Sequence, residues 1–264
     1  MRRLSIITIN YNNIDGLRRT YDSIVSQSFH DYEWIVVDGG STDGSKDFIF
    51  EHQSDVTWWC SERDGGIYNA QNKGLNHAAG EYLLFLNSGD TLLTPYVLEE
   101  VFSCTLDADV VYGDWYEKKS FSLCNKSRCY PGIANYFRFA TCPLCHQATF
   151  IRGSVLRKSP YDETYRICAD WAKWVELSKS GCSFQHIPVK ICLYLRDGIS
   201  YRAIKQKRQE HKRIIGDFYP MELAEILWSL MEKNNKRLRT IRRLIWVCSL
   251  LCITILIACS ATFF

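Results

Sequence analysis

The chain has 264 residues, of which 47% are hydrophobic, 23% charged and 14% aromatic. This length and composition allow a substantial buried core, which excludes a disordered, collagen-like or mini-protein class. The formal net charge of +3 conceals −4 in residues 1–200 and +7 in residues 201–264. This asymmetry argues against nucleic-acid binding over the whole surface and favours one anionic partner at the C-terminal end.

The first hundred residues alternate strand and helix signals. Short apolar, β-branched runs predict strands, and the stretches between them predict helices. Strands separated by helices imply βαβ units, and therefore an α/β fold with a Rossmann-like, mostly parallel sheet flanked by helices. The predicted strands are Leu4–Ile9, Glu33–Val37, Thr57–Cys60 and Tyr82–Leu86, and the predicted helices are Leu17–Gln27, one around Phe48–Phe50, and Gly66–Ala79.

Polar clusters follow three of these strands, at Asn10–Asn13, Asp38–Gly44 and Asn87–Asp90. Each cluster alone is typical of a turn. In a parallel sheet, however, ligands bind outside the carboxyl ends of the strands. Three clusters at one edge of the sheet therefore favour a binding site.

The rest of the chain is less regular up to residue 160 and helical after it. Its basic C-terminal end is interpreted either as a solvated helical face or as a segment lying on a membrane. The predicted elements are strands Val110–Tyr112 and Ala148–Ile151, a helix at Ala169–Ser180, a basic helical stretch at Tyr201–Ile215 and a helix at Met221–Arg243.

Residues 244–264 carry no charge. An apolar helix of about 20 residues is what a bilayer core of ~30 Å requires, and basic residues just before it favour the cytoplasmic side. We therefore predict a C-terminal transmembrane tail anchor, with a buried core helix as the alternative. The predicted divisions are a catalytic domain 1–200, a basic membrane-proximal segment 201–243 and a transmembrane helix 244–264.

Four of the 12 cysteines, Cys124, Cys129, Cys142 and Cys145, lie close together in the sequence. The two residues between Cys142 and Cys145 match half of a structural zinc site. The four residues between the other two cysteines are less regular. The alternative is a set of reduced, buried thiols.

Four residues are candidates for a functional role because of their chemistry. Asp90 ends an apolar strand, and a lone carboxylate completed by substrate phosphates suits Mg²⁺ or Mn²⁺. Asp170, at the start of a predicted helix, is either an N-cap or a general base. His146 and Gln147 are a ligand pair, a substrate contact or a satisfied core pair.

Five ordered motifs resemble family 2 glycosyltransferases, and the resemblance extends over about residues 3–200. The downstream motifs are similar to those of colanic-acid and capsular polysaccharide glycosyltransferases. The motifs are SIITINYN from Ser5, VVDGGSTDG from Val36, SERDGGIYNAQNKG from Ser61, LNSGD from Leu86, and His146-Gln147 with Tyr161–Trp171.

The resemblance implies a GT-A fold and an inverting, metal-dependent transfer that uses Mg²⁺ or Mn²⁺. The donor would be a UDP- or GDP-linked sugar. Together with the basic, membrane-anchored tail, the motifs predict that the acceptor is a lipid-linked glycan at the cytoplasmic face of a bacterial inner membrane. Nucleic acid is not an expected partner. Carried over by position, the donor-binding residues are Ile9, Tyr11, Asp38, Asp64, Lys73 and Asn87, the metal ligand is Asp90, the catalytic base is Asp170, and the acceptor or diphosphate contacts are His146 and Gln147.

The sequence departs from the commoner family pattern in two places. Gly39 stands where a second acid often reads the uracil edge, which leaves the nucleobase open. The metal motif Asn87–Asp90 retains a single carboxylate. A catalytically silent, membrane-tethered nucleotide-sugar-binding or scaffold protein is therefore an alternative. A nucleotidyltransferase is disfavoured, because the Gly/Arg/Lys-rich N-terminal loop expected for triphosphate binding is missing.

Overall fold

The computed structural model of the chain describes residues 2–118, 125–130, 132–196, 198–231 and 233. The chain divides into two compact units, Met1–His211 and Lys212–Phe264. The predicted transmembrane helix at 244–264 lies outside the described residues. Within the described ranges, none of the helices is long and apolar enough to cross a membrane.

The described strands form one mixed sheet, in the order β3-β2-β1-β4-β8-β6-β9-β5, with β7 beside β6. The sequence located the first four strands to within one residue at each end. The strands are β1 (Leu4–Asn10), β2 (Tyr32–Asp38), β3 (Trp58–Ser61), β4 (Tyr82–Phe85), β5 (Thr91–Leu92), β6 (Val110–Lys118), β7 (Lys126–Arg128), β8 (Thr149–Arg152) and β9 (Phe184–Leu195).

Helices connect and flank these strands, and a 3-10 turn at His146–Ala148 precedes β8. The described helices are α1 (Ile14–Val25), α2 (Ser45–Glu51), α3 (Ile67–His77), α4 (Val97–Ser103), α5 (Tyr136–Phe139), α6 (Gly153–Leu156), α7 (Ala169–Lys179), α8 (Ile199–Arg202) and α9 (Ile204–Phe218).

The two longest ladders, β1 with β2 and β6 with β9, are parallel. Strand β3 pairs in parallel with β2, and β4 pairs in parallel with β1. The α/β fold and the parallel arrangement predicted for the first half are therefore confirmed. Beyond β4 the sheet becomes mixed, because β8 runs antiparallel to both of its neighbours. Parallel pairing brings the carboxyl ends of β1, β2 and β3 to one edge.

The alternation of side chains along β1 and β2 buries both faces of the sheet. Ile6 and Val36 belong to a core shared with α1, α2 and α4. Ile7 and Val37 face α3, where a Cβ atom at Gly74 would lie only 2.6 Å from Ile7 Cγ2. The absent side chain lets α3 approach the sheet closely, which sets the position of the residues that α3 carries toward the site.

Strand β9 was not predicted from the sequence, because Pro188 interrupts its pattern. Proline lacks an N–H and is tolerated in a sheet at a bulge or edge. The pairing with β6 passes from Tyr112–His186 directly to Asp114–Lys190, so the extra residues around Pro188 form a bulge. The strand then continues to Leu195, beside the carboxylate of Asp90.

The second unit is described up to residue 233. It contains a helical stretch at 221–231. Trp228 donates its indole N–H to the carbonyl of Lys212 at 3.2 Å, and the Lys212 ammonium lies 4.9 Å from the Trp228 ring centroid. Most of the helix predicted after residue 231 lies outside the described residues.

Candidate active site

The first polar cluster centres on Asp38 at the end of β2. The parallel register places Asn10, Asp38 and Ser61 side by side at the carboxyl edge. Asp38 is fully buried and accepts hydrogen bonds from the Asn10 amide, the Ser61 hydroxyl, and both the hydroxyl and the backbone N–H of Ser41. Four donors occupy the capacity of a carboxylate. Asp38 therefore stabilises this edge of the sheet from its buried side, by holding Asn10, Ser41 and Ser61 in place.

Tyr11 and Asp64 form the outer surface above this cluster. The Tyr11 side chain is 68% exposed, so its ring is open to a ligand. A Cβ atom at Gly39 would lie 2.8 Å from Asp64 Oδ2 and 3.2 Å from Tyr11 Cδ2. The second acid common in the family does not fit here unless Asp64 moves. Position 39 is therefore a glycine in the structure because the Asp64 carboxylate fills the space that a side chain there would need.

Ile9 and Lys73 are the two remaining residues predicted to bind the donor in this part of the site. Ile9 is partly buried in β1. The Lys73 ammonium donates to Glu62 Oε1 at 2.7 Å, and this hydrogen bond raises the pKa of Lys73. Lys73 is therefore a charged, already paired cation at this side of the sheet.

A chain of hydrogen bonds joins three of the predicted residues across the site. The Asn87 amide Nδ2 donates to His146 Nε2 at 3.1 Å, and His146 Nδ1 lies 3.1 Å from Asp170 Oδ2. Gln71 Nε2, 3.4 Å from Asn87 Oδ1, sets the orientation of that amide. Because Nε2 accepts, the network assigns the imidazole proton to Nδ1, from which it is donated to Asp170.

Asp170 is held by two further donors on its other oxygen, Oδ1. The Tyr68 hydroxyl lies 2.9 Å from it, and the Trp171 backbone N–H 2.8 Å. Burial opposes the charged form, but the hydrogen bonds from His146, Tyr68 and Trp171 outweigh it and lower the pKa of Asp170. The side chain is still 19% exposed. The N-cap of α7 is Cys168, not Asp170, so the side chain of Asp170 is not used as a helix cap.

Asp90 is almost completely buried, with a protein donor on each carboxylate oxygen. Gln147 Nε2 donates to Oδ2 at 2.9 Å, and the Leu195 backbone N–H to Oδ1 at 3.2 Å. Within the described ranges, no three His, Cys, Asp or Glu side chains are grouped to hold a metal ion. A buried carboxylate at this edge of the sheet suits a cation that takes one protein ligand and completes its shell with phosphate and water.

The structure also adds residues that the sequence did not single out as part of the site. Tyr68 and Gln71 lie three residues apart on α3, so they share a face of the helix. Both belong to a family motif, but their spacing is equally typical of a core face. Burial raises the pKa of the Tyr68 phenol, and the negative charge of Asp170 raises it further, so Tyr68 stays protonated beside that carboxylate.

The cysteines considered as a zinc site are free thiols where they are described, namely Cys129, Cys142 and Cys145. They do not belong to a metal-ligating cluster among the described residues. Cys124 lies outside those residues. The Cys145 thiol donates to Gln147 Oε1 at 3.3 Å, so it supports the partner of Asp90.

Comparison with known proteins finds that this chain is similar to glycosyltransferases. The sequence profile described as "Glycosyl transferase family 2" matches residues 5–140. An uncharacterized glycosyltransferase of Mycobacterium tuberculosis is 33% identical over 171 residues, covering 63% of this chain and 65% of that protein. A "PGL/p-HBAD biosynthesis glycosyltransferase" of Mycobacterium bovis is 33% identical over 175 residues, covering 63% and 66%. The match thus spans slightly less than two thirds of these relatives.

Solved structures share the fold. S. aureus TarS 1–349 in complex with UDP aligns with a TM-score of 0.61 and 16% identity, covering 81% of this chain and 65% of that one. The mannosyltransferase PcManGT of Pyrobaculum calidifontis, in complex with GDP-Man and Mn²⁺, aligns with a TM-score of 0.63 and 16% identity, covering 86% and 68%. At this identity the likeness concerns the fold.

Proposed function

The chain belongs to glycosyl transferase family 2, and we propose that it transfers a sugar, with inversion, from a nucleotide-diphosphate sugar to a glycan acceptor. The observation that carries this proposal is the hydrogen-bonded chain Asn87–His146–Asp170. It joins residues from three separate segments of the sequence into one polar cluster at the carboxyl side of the sheet. A partly exposed, ionised carboxylate held by three donors is suited to receive a proton.

In the proposed mechanism Asp170 accepts the proton of the acceptor hydroxyl. Among the residues that the structure describes, Tyr68 and the Trp171 N–H donate to Oδ1, whereas His146 is the one donor to Oδ2, which keeps a lone pair for the acceptor. The low pKa keeps this carboxylate ionised at neutral pH. Proton removal becomes favourable as the new glycosidic bond forms, because the hydroxyl gains acidity in the transition state. His146 holds the carboxylate in place during this step.

At the other end of the reacting axis, the donor would lie over Tyr11, Asp64 and Asn87. Asp90 would hold a divalent cation, with Mg²⁺ or Mn²⁺ as the candidates. When bound, the cation supplies positive charge to the leaving diphosphate. One structural relative contains GDP-Man with Mn²⁺ and another contains UDP, which supports a donor of this class.

The first test is a thermal-shift panel of UDP, GDP and CMP sugars, with and without Mn²⁺. We expect one UDP- or GDP-linked sugar to raise the melting temperature by several degrees, since a ligand at 100 times its Kd stabilises by about 2.7 kcal/mol. Tyr11→Ala removes an exposed ring and should reduce the shift without lowering the melting temperature of the free protein. If no nucleotide sugar shifts the melting temperature and none is hydrolysed, the proposal fails. Binding without any turnover would favour the silent scaffold.

We also propose that the acceptor is lipid-linked and that the protein lies at the cytoplasmic face of a bacterial inner membrane, anchored by residues 244–264. The +7 charge of residues 201–264 supports this, as do the exposed apolar side chains of Met221, Ile226 and Leu230. Deletion of residues 244–264 should release the protein from membranes only in part, since the basic segment still binds anionic lipid, and 0.5 M salt should release the rest. Complete release at low salt would contradict the surface role of the basic segment.

A further inference from the structure

Residues 166–168, which precede Asp170, are held by a side chain from another helix. Helix α7 starts at Ala169, and its N-cap residue, Cys168, makes no side-chain capping bond. Backbone N–H groups at and before a helix start need acceptors from elsewhere when they are buried. Residues 166–168 therefore require an acceptor from outside their own helix.

Glu210 of α9 supplies that acceptor. Its carboxylate is nearly buried, with 8% exposure, and it accepts the backbone N–H groups of Arg166 at 3.0 Å and of Ile167 and Cys168 at 2.9 Å each. Gln206 Nε2 donates to it as well, at 3.1 Å. A carboxylate that accepts several backbone N–H groups fixes them strongly, because each bond is charge-assisted.

The same segment is held from the other side by the residue that touches Asp170. The Tyr68 hydroxyl lies 2.8 Å from the Ile167 carbonyl oxygen and 2.9 Å from Asp170 Oδ1. Next to Glu210, His211 donates to a backbone carbonyl at 2.9 Å and its ring lies 3.8 Å from the ring of Trp171. Burial lowers the pKa of His211, so the ring stays neutral.

We infer that Glu210 is a positioning residue for the catalytic carboxylate: it fixes residues 166–168, and thereby the direction in which Asp170 meets the acceptor. The inference rests on the proposed role of Asp170 as the base. It assigns α9, which lies beyond the predicted catalytic domain 1–200, a part in catalysis. A shift of about 1 Å in a reacting group can cost 10²-fold in rate.

The test compares Glu210→Gln with wild type in the hydrolysis of the UDP- or GDP-sugar bound in the thermal-shift panel, with water in the place of the acceptor. Glutamine keeps the size of the side chain but places an NH₂ group against backbone donors. We expect kcat to fall about tenfold or more, with the KM for the donor unchanged, because donor contacts lie elsewhere. Glu222→Gln, which removes an exposed glutamate, is the matched control and should behave like wild type.

Glu210→Asp keeps the charge on a shorter side chain and should recover part of the lost kcat; it replaces Glu210→Gln if that variant does not fold. A folded Glu210→Gln or Glu210→Asp with wild-type kcat would overturn the inference, as would a loss seen equally in kcat and donor binding. If no nucleotide sugar binds or is hydrolysed, the proposed function itself fails, and if Asp170→Asn retains full activity, the role of Asp170 as the base fails. If Asp170→Asn is inactive and Glu210→Gln is not, only the inference fails.

Discussion

Replacing Asp170 with asparagine is expected to lower sugar transfer, or donor hydrolysis in its place, by about 10²–10⁴-fold, the usual contribution of a general base. Asparagine keeps an oxygen for the Tyr68 and Trp171 donors but cannot accept a proton. The thermal shift caused by the donor should stay close to that of wild type. Initial rates and the thermal shift, measured on the same preparations, check both parts. Full activity in this variant would contradict the assignment.

The pH dependence of the rate tests the same carboxylate. Its pKa lies below the ordinary aspartate value, so the charged form persists as the pH falls and is lost only at a pH below that value. His146→Ala removes one of the hydrogen-bond donors that stabilise the charged form of Asp170, whereas the opposing effect of burial remains. The pKa of Asp170 should therefore rise, and the acid limb of kcat should move to higher pH.

The matched control for that experiment is His186→Ala, which removes another histidine paired with an aspartate, Asp114, at 2.9 Å. Its acid limb should coincide with that of wild type. Circular dichroism at each pH separates titration from acid unfolding. An unchanged limb in folded His146→Ala would mean that His146 does not hold Asp170 in its charged form.

The second large effect is expected for Asp90→Asn. Release of nucleoside diphosphate should fall by about 10²-fold or more, since charge stabilisation by a cation is worth several kcal/mol. The part of the donor thermal shift that depends on Mn²⁺ should disappear, while the part seen without metal remains. The variant should fold, because the asparagine oxygen can still accept the Leu195 N–H and the Gln147 amide can rotate to meet the new NH₂.

Asp15→Asn is the control for this loss of charge, because that carboxylate is 81% exposed on α1. It should leave both the rate and the Mn²⁺ dependence unchanged. If Mn²⁺ shifts the melting temperature of Asp90→Asn with donor as much as that of wild type, the cation is held by other groups.

The parallel half of the fold could be predicted because its signals are local. Each of β1 to β4 is a short, mostly apolar run, and a helix separates each pair. Strands β1, β2 and β4 are buried on both faces, whereas β3, at the edge of the sheet, is half-buried. The alternation of strands and helices along the chain favours parallel pairing, which brings the polar ends of the strands to one edge. Strand β9 could not be predicted in this way, since Pro188 breaks its pattern and only pairing with β6 absorbs the bulge.

The candidate site, too, could be predicted from the sequence only in part. Sequence motifs identified Asn87, His146 and Asp170 separately, and the chemistry of Asp170 alone left a helix cap as an alternative to a base. The hydrogen bonds that connect the three residues depend on tertiary structure. Glu210 carried no local signal, because a glutamate on a basic helix is usually a solvated residue.

What the sequence by itself determined about this protein is its family, its α/β class and the residue types at one edge of the sheet, since these follow from local pattern and motif order. The tertiary structure alone decided how those residues are used. Asp38 is buried and accepts four hydrogen bonds, Asp64 occupies the space above Gly39, and Asp170 is held in its charged form and is partly exposed. The physical reason is that the state of a carboxylate is set by burial and by the donors around it, and these come from elements far apart in the chain.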